Sequence, residues 1–262
     1  YVPFAALLDG GQYAIERQSL QLYSDVAAEP VAPANAALAV RALGVTRALE
    51  GFVALPAIGD ELCSIVRGPV EGLEAPHAGC TAGQGDGALP GAAFADSRFT
   101  RAQFEAIMAG PRDFSVLHVG THFSLRPGNA LRSFLLLGDG ERMTLDRLAG
   151  IDFRGVELMT LSACQTALGG IVMSDGREVE GLSAIVQQQG VQRVVASLWR
   201  VEDRSTAMLM AAFYRRLAES PGGDARALRL AQLDVRNHLV DGIHPYAHPY
   251  FWAGFTLAAS RP

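Results

Sequence analysis

Residues 156–170 read VELMTLSACQTALGG, a mostly apolar run of strand length that passes into Ser162-Ala163-Cys164 and then Gln165-Thr166. Small residues flank the cysteine, and Gly169-Gly170 opens a loop behind it. A thiol at the carboxyl end of a strand sits where an α/β sheet presents its reactive groups. A second run, SVLHVGTH at 115–122, ends in the same way on His122, 42 positions before Cys164 (164 − 122). A cysteine attacks as its thiolate and needs a neighbouring base and partial exposure. Two strand tips side by side would supply both, with backbone N–H groups available to an oxyanion.

Working outward, strand and helix signals alternate. Residues 12–23 read as a strand or two short strands, 24–36 as an Ala/Pro-rich loop, and 38–45 as a strand or short helix. Leu55, Ile58, Leu62 and Ile65 have helical spacing. Residues 68–93 hold seven glycines and three prolines and read as a long exposed loop, which with the glycine-containing loop at 169–178 is a candidate for nicking by the protein itself. Its GQGDG follows no strand and lacks a GK[ST] ending, so it does not signal a phosphate loop. Thr100 caps a helix to about Met108, residues 133–137 form a buried strand, and Thr144 caps a short helix. Residues 180–189 form a helix stopped by Gly190, and 193–198 a strand. Asp203 or Ser205 caps a helix to Glu219, Asp224 caps another to His238, and 251–258 form the last strand. This alternation predicts an α/β fold with a mostly parallel sheet and helices on both faces.

The 262 residues are 49% hydrophobic with net charge −5, material for a single domain over 1–262. No basic run is present, which disfavours nucleic acid as a partner, and no apolar run reaches membrane-spanning length. Cys63, Cys80 and Cys164 make an odd count without metal-ligand spacing. That pattern predicts free thiols in a reducing, cytoplasmic setting and no metal site. All 22 basic residues are arginine, read as a coding bias of a GC-rich bacterial genome.

VPFAALLDGGQYAIER, VLHVGTH, MTLSACQTALGG, GVQRVVASLWRVEDRSTAMLMAAFY, ALRLAQLDVRN and HPYFWAGFTL occur in this order and together resemble the CHAT peptidases. That family is caspase-like, related to separase, and often follows tetratricopeptide repeats in bacterial proteins. The resemblance spans nearly the whole chain and is least clear over 60–100. It implies a caspase-type fold, cysteine peptidase activity on a protein or peptide substrate, and no cofactor. Cys164 would be the nucleophile, His122 its partner, and the backbone N–H groups of Cys164 and Phe123 the oxyanion donors. The family pattern has glycine where this chain has Phe123, and a left-handed backbone there would strain a phenylalanine. The abrupt start at Tyr1, without an initiator methionine, fits the C-terminal part of a longer chain with a tetratricopeptide regulatory region.

In caspase-like folds the segment after the next strand helps to build the substrate groove. Here it is Ser197–Asp203, where Trp199 would wall an apolar subsite. Asp203 first and Glu202 second would select a basic residue before the scissile bond. Arg200 points the other way, to an acidic residue. His118 shares a strand face with His122, but a packed core histidine is the expectation, since no third metal ligand is in view. The rival function is a catalytically silent docking module with the same fold, for which Phe123 is the main argument. A third, weaker reading is an acyl hydrolase or transferase using the same thiol.

Overall fold

A computed structural model describes residues 2–27, 38–124, 132–162 and 177–261. In chain order the elements begin with β1 (Leu8–Asp9), β2 (Gln12–Tyr13), α1 (Ala14–Arg17), β3 (Leu22–Ala27) and β4 (Val40–Gly44). Next come α2 (Ala57–Ile65), β5 (Val66–Glu71), β6 (Cys80–Thr81), β7 (Gln84–Asp86) and β8 (Leu89–Ala95). The middle comprises α3 (Arg101–Ala109), β9 (Val116–Gly120), β10 (Phe123–Ser124), β11 (Phe134–Leu136), β12 (Arg142–Thr144) and α4 (Leu145–Leu148). The last third comprises β13 (Leu158–Leu161), α5 (Arg177–Gln188), β14 (Arg193–Ser197), α6 (Asp203–Glu219), α7 (Asp224–Arg236) and β15 (Phe255–Arg261).

A ten-stranded sheet has the order β3-β15-β14-β13-β9-β4-β8-β5-β7-β6. From β14 to β5 every neighbouring pair is parallel. Antiparallel pairs flank this block, β15 against β14 on one side and β7 against β5 on the other. Alternation along β9, β13 and β14 divides the core in two. Val116, Leu158 and Val195 meet α2, α6 and α7 on one face, whereas Leu117, Met159 and Val194 meet α3, α4 and α5 on the other. Each fully buried Val or Leu contributes about 1.5–3 kcal/mol of hydrophobic stabilisation. The fold is the expected α/β sheet covered on both faces.

Three stretches differ from their sequence reading. Residues 12–23 hold β2, the helical turn α1 and the start of β3, which is the alternative of two short strands with a break, but β3 runs on through 24–27, which composition marks as loop. Residues 68–93 are mostly sheet. Their glycines permit close strand approach: a Cβ at Gly68 would lie 2.3 Å from the Gly91 carbonyl oxygen. Residues 72–79, between β5 and β6, stay outside the sheet as a surface segment, and 169–176 lie outside the described residues. Thirdly, Cys63 and Cys80 form a disulfide with Cα atoms 5.2 Å apart. Packing brings them together: His77 lies against Gly59 and bonds Asp60, whose carboxylate also accepts from Ala78 N–H (2.9 Å). The cysteine count thus gives no support for a reducing compartment. The residues at 38–45 are strand, and Thr100 and Thr144 accept from Gln103 and Arg147 N–H as their spacing predicts.

Candidate active site

His122 follows β9 at the carboxyl edge of the parallel block. The β9/β13 register pairs His118 with Thr160 and Val119 with Leu161, and Ser162 N–H donates to Val119 C=O. The two tips therefore leave the sheet as neighbours. Cys164, two residues beyond Ser162, lies outside the described residues.

The His122 side chain is buried, with its residue 3% exposed. Its Nε2 lies 2.8 Å from the Val53 carbonyl oxygen, and the Phe52 ring packs on the imidazole. A carbonyl oxygen only accepts, so Nε2 carries the proton and Nδ1 of the neutral ring keeps its lone pair. Burial pulls the His122 pKa below its usual value, the Val53 bond pushes against this, and the charge of Arg200 lowers it further. The ring is accordingly a neutral acceptor at neutral pH, suited to taking a thiol proton. Val53 was not legible in the sequence. A backbone carbonyl carries no side-chain signature, and only the fold brings it 69 positions to His122.

Phe123 starts β10 and pairs with Leu135. Leu136 N–H donates to His122 C=O, so 122 and 136 form the hydrogen-bonded pair and Phe123 takes the alternate position. Its N–H consequently points away from β11. The non-glycine residues with left-handed φ among those described are Ala82, Asp96 and Asp241, so Phe123 carries no such strain.

The three groove candidates flank the start of α6. Glu202 is the N-cap, accepting from Arg204 and Ser205 N–H (3.1 and 2.6 Å). This corrects the expectation that Asp203 or Ser205 caps α6. Asp203 is the first helical residue, and its Oδ2 accepts from Ala57 N–H (2.9 Å) at the start of α2. Burial raises the Asp203 pKa to about 6; the Ala57 bond opposes the shift, while Glu61, Glu202 and Asp60 add to it. One carboxylate oxygen is thus engaged by α2, in a half-buried site surrounded by negative charge. Trp199 is half-buried against Gly254, with Nε1–H donating to Tyr250 C=O (3.0 Å).

His118 is fully buried, as expected for a core histidine. Its Nε2 lies 3.0 Å from Glu61 Oε1, and Nδ1 lies 2.7 Å from Thr160 Oγ1. Glu61 was missed because an acidic residue beside Asp60 on a helix names no partner in sequence. Among the described residues no group of three His, Cys, Asp or Glu could hold a metal, and no helix is long and apolar enough to cross a membrane.

The CHAT domain family model matches residues 1–260. No curated protein matches the chain. Among solved structures, a complex of the pro- and mature domains of RgpB from Porphyromonas gingivalis superposes with a TM-score of 0.44 at 10% identity. That match covers 84% of this chain and 47% of the other, so this chain spans about half of that one.

Proposed function

Because the chain belongs to the CHAT domain family, we propose that it is a cysteine endopeptidase with a Cys164–His122 dyad, cleaving a protein substrate after a basic residue. The observation that carries this reading is the His122 ring. It stands at the tip of β9 beside β13, with its Nε2 proton engaged by Val53 and Nδ1 left as an acceptor.

In the proposed reaction His122 Nδ1 takes the Cys164 proton, and the thiolate adds to the scissile carbonyl to form a carbon–sulfur bond. The carbon–nitrogen bond then breaks as His122 returns the proton to the leaving amine. Water, deprotonated by the same ring, hydrolyses the thioester and frees the thiol. Backbone N–H groups of Cys164 and Phe123 are the proposed donors to the oxyanion, and the outward aim of the Phe123 N–H supports its part.

The acidic surroundings of Asp203 favour a basic side chain before the scissile bond, with Asp203 receiving it and Trp199 walling the groove. Glu202, whose carboxylate caps α6, contributes negative potential rather than a direct ligand. Control by a tetratricopeptide region belongs to the same proposal, whereas the cytoplasmic location expected from free thiols is not carried into it, because Cys63 and Cys80 are joined. A panel of fluorogenic peptides ending in arginine, lysine or aspartate, run beside Cys164→Ala, tests it. Cleavage after arginine or lysine, absent in the variant, is expected. Cleavage after aspartate would move selectivity to Arg200. Loss of all cleavage with an unreactive Cys164 would favour the silent docking module.

A further inference from the structure

The connection at 45–56, from β4 to α2, touches both halves of the candidate site. Val53 C=O meets His122 Nε2, and Ala57, just past its end, meets Asp203. Its tip is a small turn in which Leu49 and Phe52 exchange backbone hydrogen bonds. Its two ends are tied by Leu55 N–H donating to Thr46 C=O (2.9 Å), two residues beyond Val53. Thr46 is therefore the base of the whole loop.

Thr46 is held in turn by one side chain. Asp96, directly after β8, is 2% exposed. Its Oδ1 accepts from Thr46 N–H (2.8 Å) and Arg47 N–H (3.3 Å), and its Oδ2 accepts from Thr46 Oγ1 (2.6 Å). Arg47 adds a bond to Gly138 C=O (2.9 Å), and Gly138 packs so closely on the Asp96 carbonyl that a Cβ there would come within 1.7 Å of it. Asp96 reaches this position with φ +46°, a left-handed conformation uncommon outside glycine. A strained, buried carboxylate with three donors from one loop base is more than surface turn chemistry requires.

We propose that Asp96 is a positioning residue for the dyad: its carboxylate fixes Thr46 and Arg47, and thereby holds the Val53 carbonyl against His122 Nε2. This inference rests on the peptidase reading for its consequence in catalysis, but the hydrogen bond it predicts can be read without activity. The Val53 bond raises the His122 pKa, so its loss lowers that pKa further; Arg200, the charged group acting on the ring, is untouched by the variants below.

The test uses the whole chain labelled with 15N-histidine, following the His122 Nε2–H resonance and the imidazole titration, with peptide kinetics alongside. Asp96→Gly tolerates the left-handed backbone but removes every acceptor. Asp96→Asn keeps both that backbone tolerance and one acceptor. Thr46→Val removes one bond and serves should the glycine variant not fold. Asp96→Gly is expected to lose the low-field Nε2–H signal, lower the His122 titration and reduce kcat/KM about 10–100-fold with little change in KM. Asp96→Asn should stay within a few-fold of wild type, and Thr46→Val should shift the titration in the same direction by less. A folded Asp96→Gly, or failing that Thr46→Val, with wild-type His122 resonance and titration would overturn the proposal. Absence of peptide cleavage by every form including wild type would count against the peptidase reading alone, since the resonance still reports the positioning.

Discussion

His122 and Asp203 titrate for different reasons, and each gives a prediction. Removing His122 takes away the proton acceptor, so His122→Ala should reduce kcat/KM about 10²–10⁴-fold, measured on whichever peptide the wild type cleaves. Asp203 holds its proton up to about pH 6 in the folded chain, whereas an unfolded aspartate releases it near pH 4. The folded state therefore binds more protons between these values. The stability from this group is complete below about pH 4 and is lost as pH rises through about 6. Asp203→Asn, which can still accept from Ala57, should be more stable than wild type above pH 6 by about 1–3 kcal/mol and equal to it near pH 4, as read by urea unfolding. The same change should reduce cleavage after arginine about 10–100-fold, because a charge-assisted bond is lost. The proposed base, His122, is visible in sequence as a reactive side chain at a strand tip, whereas Asp203, the first residue of α6, is singled out only through the family resemblance. Their partners, Val53 and Ala57, were not legible, because backbone atoms look alike in every sequence.

Helix α2 is the element that joins these residues. Its start meets Asp203, Glu61 on its inner side pairs with His118, and Cys63 near its end is bonded to Cys80. Breaking the disulfide, by Cys80→Ser or by a reductant, should cost about 3 kcal/mol for a closed loop of this size, measured as a shift in the denaturation midpoint. A thiol count on the unreduced, unfolded chain should give one thiol, and three after reduction; three before reduction would contradict the bond. His118→Ala leaves Glu61 buried beside a vacated partner and should destabilise the fold by about 3–5 kcal/mol. The helix itself was legible from the spacing of Ile58, Leu62 and Ile65, all buried. The strap over it was not. Glycines at 68, 85 and 91 signal a loop by composition, yet here they let β5, β7 and β8 crowd together.

At the scale of the molecule, the sheet order makes neighbours of the two strands that precede His122 and Cys164, as the proposed dyad requires. The strands β9 and β13 are parallel neighbours, with β4 on the other side of β9, so the β4–α2 connection folds over the His122 tip. Alternating strand and helix signals sufficed to predict this architecture, because hydrophobic periodicity reports burial on the two sheet faces. Strand order carries no such local signal, and the placement of Asp96 at the base of the loop could not be read from it. The proposed dyad stands or falls on activation of Cys164 by His122. Its most direct test is the rate of Cys164 alkylation by iodoacetamide, followed by peptide mass mapping across pH in the wild type and His122→Ala. Cys164 should be alkylated faster than an ordinary thiol at neutral pH, and His122→Ala should slow it at least about 10-fold in a folded protein. Equal rates in the two proteins would contradict it.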